Sequence, residues 1–238
     1  MISVFPDPEL VAQAAADEFV RVVSSAIQAR GRAVVALSGG STPKRLHALL
    51  TDPARRDLID WSAVTILWGD ERFVPASDPQ SNERMARETL LDLVPIPADQ
   101  IHPMVQSDDP VKDAQSYEAL LKDANLEIDL LLVGMGADGH TLSLFPGEPG
   151  VHEATRLVIA ARAPVNAPVR ITMTPVAANA AREVLFLITG ADKAEAVQRC
   201  FEGPINLDET PSQALARFAP NLVAYLDKAA AANLAISQ

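Results

Sequence analysis

The chain is short of cysteine, of basic residues and of long apolar runs, and each shortage closes a class of function. One cysteine, Cys200, among 238 residues excludes an intramolecular disulfide and any multi-thiolate zinc or iron–sulfur centre. It reads as a packed helix residue in a protein of a reducing, cytoplasmic setting. Twenty Lys and Arg stand against 31 Asp and Glu, a formal net charge of −11, and an acidic surface repels phosphate backbones, so no nucleic-acid partner is expected. No apolar run approaches the roughly 20 residues of a membrane helix. The opening Met1-Ile2-Ser3-Val4-Phe5-Pro6-Asp7 lacks a basic region followed by an apolar stretch. A soluble chain that keeps its N-terminus and has no membrane partner is therefore expected. There is no period of 20 to 50 residues and no Gly/Ser linker. The proline-rich stretch from Pro146 to Pro168 is the one candidate boundary, so residues 1–238 read as a single domain.

What is present is a globular balance, 48% hydrophobic and 21% charged, with ample length for a core. Asp7-Pro8 is an N-cap followed by Pro at the first helical position, and Val11, Ala15, Phe19, Val22, Val23, Ala26 and Ile27 recur at helical spacing up to Gly31. Apolar runs at 33–37, 64–68, 128–133, 157–160, 171–173, 184–188 and 222–226 read as strands. Helical stretches are expected at 82–94, 110–123, 175–182, 192–200, 212–217 and 227–234. Strands apolar on both faces that alternate with helices predict a three-layer α/β/α, Rossmann-like, largely parallel sheet. Ligands of such sheets sit beyond the carboxyl ends of the strands.

Three loops at such positions carry chemistry. In Leu37-Ser38-Gly39-Gly40-Ser41-Thr42-Pro43-Lys44, two glycines let the backbone turn sharply before a helix whose free N–H groups suit an anion such as phosphate, with hydroxyl donors from Ser41 and Thr42. An ordinary strand-to-helix turn capped by Thr42 fits the same residues. Trp68-Gly69-Asp70-Glu71-Arg72 places three charges just past a strand, with Ser81-Asn82 opening the next helix. Either this is a solvated turn with a local ion pair, or Arg72 offers a fork of donors to a phosphate or carbonyl oxygen while Asp70 orients it or binds sugar hydroxyls. In Gly134-Met135-Gly136-Ala137-Asp138-Gly139-His140 the glycines cradle Asp138 and His140, an imidazole able to act as general base at neutral pH.

Several familiar chemistries lack their residues. Gly134, Gly136 and Gly139 spell G-x-G-x-x-G, but Pro146-Gly147 and Pro149-Gly150 cut short the helix that dinucleotide binding requires. The first loop lacks the Gly-Lys-Ser/Thr ending of a nucleotide-triphosphate loop. No G-x-S-x-G elbow supplies a serine nucleophile, which leaves water as the nucleophile. No histidine or cysteine cluster has metal-ligand spacing, so neither metal nor cofactor is expected. Of the other histidines, His47 falls within a helix, His102 in a connecting loop and His152 after a Pro-Gly turn, each a surface or packing residue.

In this order, Ser38-Gly39-Gly40-Ser41-Thr42-Pro43, Gly69-Asp70-Glu71-Arg72 with Ser81-Asn82, Gly134 to Thr141 with Ser143-Leu144-Phe145-Pro146-Gly147, Arg170-Ile171-Thr172-Met173-Thr174 and Thr189-Gly190-Ala191-Asp192-Lys193-Ala194 resemble the 6-phosphogluconolactonase family, within the glucosamine-6-phosphate isomerase/deaminase superfamily. The resemblance spans nearly the whole chain. It implies metal-independent hydrolysis of a sugar-phosphate lactone in the oxidative pentose phosphate pathway, with His140 activating water and Asp138 beside it. It implies Arg72 as the electropositive partner of substrate or oxyanion, the Gly39-Gly40-Ser41-Thr42 turn and Lys193 on the phosphate, and Arg170 in the same group, with Lys44 a further cation nearby. Monomer or small homo-oligomer is the expected assembly. The deaminase branch carries Asp-Glu-Tyr and Phe-Asn-Glu-Pro where this chain has Asp70-Glu71-Arg72 and Leu144-Phe145-Pro146-Gly147. A non-catalytic sugar-phosphate sensor is the other alternative, without the helix-turn-helix domain that such regulators add.

Overall fold

The computed structural model describes residues 1–123, 126–164 and 167–235. Its strands are β1 (Ile2–Phe5), β2 (Ala33–Leu37), β3 (Val64–Trp68), β4 (Asp70–Arg72), β5 (Leu130–Val133), β6 (Val158–Arg162), β7 (Val169–Met173), β8 (Val184–Ile188) and β9 (Leu222–Asp227). The α-helices are α1 (Pro8–Arg30), α2 (Ser41–Leu50), α3 (Pro53–Arg56), α4 (Asn82–Thr89), α5 (Pro110–Asp123), α6 (Pro175–Asn179), α7 (Ala194–Phe201) and α8 (Gln213–Ala216).

Helix α1 follows directly from its sequence signals. The Asp7 carboxylate accepts the Leu10 N–H at 2.9 Å, and Gly31, in the left-handed region at φ 74, closes the far end. Between the caps Val11, Ala15, Phe19, Val22, Val23 and Ala26 turn one buried stripe onto the sheet, each larger side chain contributing about 1.5–3 kcal/mol by leaving water.

Six strands form one sheet in the order β1-β9-β8-β5-β2-β3, every adjacent pair parallel. β2, β5 and β8 are buried at every residue, as expected of central strands flanked by helices. The chain leaves β2 for β3 on one side and leaves β5 for β8 and β9 on the other. The loops after β2 and β5 therefore diverge at a topological switch point, where a crevice opens at the carboxyl ends of the strands.

A second sheet, β4-β7-β6, is antiparallel, whereas the sequence runs at 157–160 and 171–173 were expected within the parallel sheet. Too few residues separate β6 from β7 for the crossover that parallel pairing needs, and of β6 only Val158 is buried. Gly69 joins the two sheets: its N–H donates to Leu37 O at 2.9 Å and its carbonyl accepts the Met173 N–H at 2.8 Å. The charged segment 70–72, read from sequence as a loop, is thus a strand. The stretch from Pro146 to Pro168, of which residues 165 and 166 lie outside the described residues, holds a 3-10 turn at Pro149–His152 and then β6.

Three further differences are local. β1 pairs with β9 at the sheet edge, a strand the sequence reading omitted. The helix expected over 82–94 stops at Thr89, with Leu90 leaving helical geometry at φ −146 and ψ −61 before a 3-10 turn at Leu91–Leu93. No helix forms over 227–234, because Asp227 ends β9 and its carboxylate accepts the Ala230 N–H at 2.7 Å, closing a turn. Among the described residues no helix is long and apolar enough to cross a membrane.

Candidate active site

The switch-point crevice is a cleft of about 310 Å3 whose walls come from each of the three chemistry-bearing loops. Ser38, Gly39 and Gly40 follow β2, Gly134 to His140 follow β5, and Asp70 and Arg72 lie on β4, with Arg170 on β7 and Lys193 after β8.

After β5 the backbone closes a tight turn, Gly136 N–H to His140 O at 2.9 Å and Gly139 N–H to Gly136 O at 3.0 Å. The turn brings His140 Nδ1 to 2.6 Å from Asp138 Oδ1, and the His140 N–H donates to the same oxygen at 3.1 Å. Burial works to raise the Asp138 carboxyl, but the bonds from the His140 ring and amide outweigh it and hold the group below its ordinary value. Because the ionised carboxylate only accepts, the ring proton sits on Nδ1 and Nε2 is left as an acceptor. Gly136 makes this possible: a Cβ there would lie 2.0 Å from His140 Nδ1 and 2.3 Å from Asp138 Oδ1. The imidazole stacks on Phe145, ring centroids 4.3 Å apart and planes at 28°. Beside it Leu142 is held at φ 53, in the left-handed region, backbone strain of the kind that collects at functional sites.

Opposite, the β4–β7 register sets Arg72 across from Arg170. Burial, then the neighbouring Arg72 charge, lowers the Arg170 guanidinium from its ordinary value, while Asp70 and Glu71 act in the other direction. Arg72 donates from Nη1 to Gln80 O at 2.6 Å, and its buried Nε has no hydrogen-bond partner. Asp70 is buried and accepts the Ser143 hydroxyl at 2.6 Å, tying β4 to the loop after β5. Lys193 pairs with Asp192 at 2.9 Å at the far wall.

Three expected residues, Ser41, Thr42 and Lys44, sit elsewhere. Gly40, at φ 109, is the N-cap of α2, so Ser41 and Thr42 already belong to the helix. Their side chains line a separate hollow with Pro8, Glu9, Arg45 and Thr189, where the Thr42 and Thr189 hydroxyls are 2.9 Å apart. The turn therefore presents glycine backbone to the cleft in place of hydroxyls. Lys44 is exposed outside the cleft. His47 is fully buried, its Nδ1 3.0 Å from Thr89 Oγ1, and Cys200 is packed in α7.

The sequence reading left out three residues of the site. Asn82 lines the cleft, donates from Nδ2 to Asp70 O at 2.9 Å, and places Oδ1 where a Cβ on Gly39 would be only 2.0 Å away. Glu71 lies behind the wall. Its carboxylate accepts the N–H groups of Arg72, Asn82 and Glu83 at 2.7–2.8 Å and the Ser81 hydroxyl at 3.2 Å. Burial nevertheless leaves it above the ordinary carboxyl value. Phe145 is the third. The signal for the first two was Ser81-Asn82, a helix start ten residues after a buried acid. Among the described residues no three His, Cys, Asp or Glu side chains cluster as a metal set.

A doubly wound parallel sheet, with an Asp–His pair facing a row of cations across its switch point, defines a protein that can deliver a base to an anionic small molecule. Residues 6–224 match the family described as glucosamine-6-phosphate isomerases/6-phosphogluconolactonase. The chain is 38% identical over 245 aligned residues to the 6-phosphogluconolactonase of Mycobacterium bovis, with 98% of each chain covered. It is 40% identical over 242 to that of Streptomyces coelicolor, covering 96% of this chain and 92% of the other. The solved 6-phosphogluconolactonase of Trypanosoma brucei superposes with a TM-score of 0.86 at 30% identity, covering 99% of this chain and 98% of that one. The chain belongs to the glucosamine-6-phosphate isomerase/6-phosphogluconolactonase family.

Proposed function

We propose that this chain hydrolyses 6-phospho-D-glucono-1,5-lactone to 6-phospho-D-gluconate in the oxidative pentose phosphate pathway. The observation that carries the reading is the 2.6 Å Asp138–His140 pair set in one cleft with Arg72, Arg170 and Lys193. Full-length relatives of that activity support it.

His140 Nε2 accepts a proton from water as the water oxygen bonds to lactone C1. The carbonyl oxygen becomes an oxyanion, which Arg72 meets with its fork of donors. Collapse of the tetrahedral intermediate breaks the bond from C1 to the ring oxygen, and that oxygen takes the proton back from the imidazolium. The product is an open-chain acid, which ionises. Lys193, Arg170 and the Gly39-Gly40 backbone hold the phosphate, while Asp70 faces the sugar hydroxyls. A lactone carbonyl is already electrophilic, so no metal or organic cofactor enters the scheme.

Residues 1–238 act as one domain in this reading, a view supported by a core cluster that runs from Val11 to Leu234. The setting is cytoplasmic, with monomers or small homo-oligomers and no nucleic-acid or membrane partner.

The test is release of 6-phosphogluconate from freshly generated lactone, with spontaneous hydrolysis subtracted and His140→Ala run in parallel. Wild type is expected to exceed background by orders of magnitude and folded His140→Ala to fall to it. A wild type that adds nothing to background sinks the reading, and turnover of glucosamine 6-phosphate then tests the isomerase branch.

A further inference from the structure

The hydrogen bond from Nδ1 to Asp138 fixes one direction in the imidazole plane and leaves the ring free to swing about that contact. A second constraint acts across the plane. Phe145, 3% exposed, lies parallel enough to the imidazole to stack, with centroids 4.3 Å apart and planes at 28°. Its backbone is not free to follow the histidine. Thr141 and Leu144 form a short antiparallel bridge, the Thr141 hydroxyl donates to Gly134 O at 2.8 Å, and Glu148 N–H donates to Phe145 O at 3.1 Å. Two residues on, the Gly147 N–H is bonded to Asp208 O at 2.8 Å. The aromatic face is thus built into the same turn system that places His140, and it lines the cleft beside it.

We propose that Phe145 is a positioning residue for His140: its ring fixes the imidazole plane, so that stacking and the Asp138 bond together aim Nε2 at the reacting carbon. The inference rests on His140 acting as the base. Phe145 carries no group that can move a proton or meet a charge. Its contribution is to remove a rotation that would otherwise have to be frozen in the transition state, where small misplacements are costly. It therefore acts on kcat, and substrate binding by Arg72, Arg170 and Lys193 does not depend on it.

The experiment compares Phe145→Leu, Phe145→Met and Phe145→Tyr with wild type. Thermal midpoint serves as the folding control, lactone kcat and KM are measured, and the proton NMR signals of the His140 ring are recorded in the ligand-free protein, assigned by their loss in His140→Gln. In wild type the ring current of Phe145 displaces those signals upfield. Leu or Met is expected to abolish the displacement and lower kcat about tenfold with KM within about twofold. Tyr, which keeps the aromatic face, is expected to retain both. The proposal is overturned by wild-type ring signals without displacement, by Leu and Met variants that keep wild-type kcat, or by a loss expressed in KM alone. A Tyr variant as impaired as Leu would overturn it too. Displaced ring signals in a wild type without lactonase activity would instead defeat the assignment of the reaction, because the NMR reading needs no turnover.

Discussion

Asp138 Oδ1 receives two donors from one residue, the His140 ring at 2.6 Å and the His140 backbone N–H at 3.1 Å. One oxygen therefore anchors Nδ1 and decides which nitrogen carries the ring proton. Asp138→Asn offers an amide that can present N–H to Nδ1 and favour the opposite tautomer. Its kcat is expected to fall about 10²-fold or more with KM little changed. Equal kcat in Asp138→Asn and wild type would end the tautomer argument.

Gly136→Ala tests the cradle without touching either reacting group. Its Cβ would sit 2.0 Å from His140 Nδ1, closer than any carbon approaches nitrogen without a bond, so the Asp138–His140 pair must separate. Activity is expected to drop at least as far as in Asp138→Asn while thermal stability falls by about 1–3 kcal/mol. A variant with normal kcat would show that the turn relaxes without moving the pair.

Arg72→Lys keeps the charge and loses the planar fork. Arg72 already donates from Nη1 to Gln80 O and keeps Nε buried, which leaves the Nη2 end of the guanidinium for a ligand, and an ammonium on a flexible stem cannot reproduce both tasks. A fall in kcat/KM of about 10²-fold is expected, comparable to the loss of one oxyanion donor. Retention of full kcat/KM would remove Arg72 from the chemistry.

His47 gives the fold an acid weakness remote from catalysis. Burial pushes its imidazole down to about 4 from 6.5, so the folded chain holds it neutral while the unfolded chain binds a proton below 6.5. The stability this neutral group contributes is complete above pH 6.5 and is lost as pH falls toward 4, by about 3 kcal/mol. His47→Leu keeps the site apolar and leaves the Thr89 hydroxyl on Met85 O. Denaturant midpoints across pH 7 to 4 should be flatter for the variant than for wild type, and parallel curves would refute the assignment.

Much of this was legible in the chain because local and global signals agree. Asp7-Pro8 and Gly31 bracket α1 to the residue, and the unbroken apolar runs at β2, β5 and β8 mark strands buried on both faces. Glycine spacing around Asp138 and His140, three glycines and two polar groups within seven residues, marked the turn that carries the pair into the cleft. β4 was hidden because Asp-Glu-Arg has no strand propensity; its pairing comes from β7, a hundred residues later. The β6–β7 hairpin was hidden because a short apolar run carries no information about its partner. Thr-Pro signals a helix start in sequence, but Gly40 and not Thr42 caps α2, because the positive φ that glycine tolerates lets the helix begin earlier. Asn82 and Glu71 act through contacts between β4 and the start of α4 that a linear reading does not contain.

The register that sets Arg72 opposite Arg170 places two like charges side by side on the cleft wall, a pairing that destabilises a sheet and that Asp70 and Glu71 offset. In the proposed reading a substrate that meets both guanidiniums adds to that compensation, so occupancy and folding are thermodynamically linked. At a ligand concentration about 100 times Kd the linkage is worth about 2.7 kcal/mol, delivered to a three-stranded sheet that joins the main one through Gly69. Under the proposed function, a bound phosphorylated ligand would therefore also be a structural element, and the melting temperature would gauge how full the cleft is.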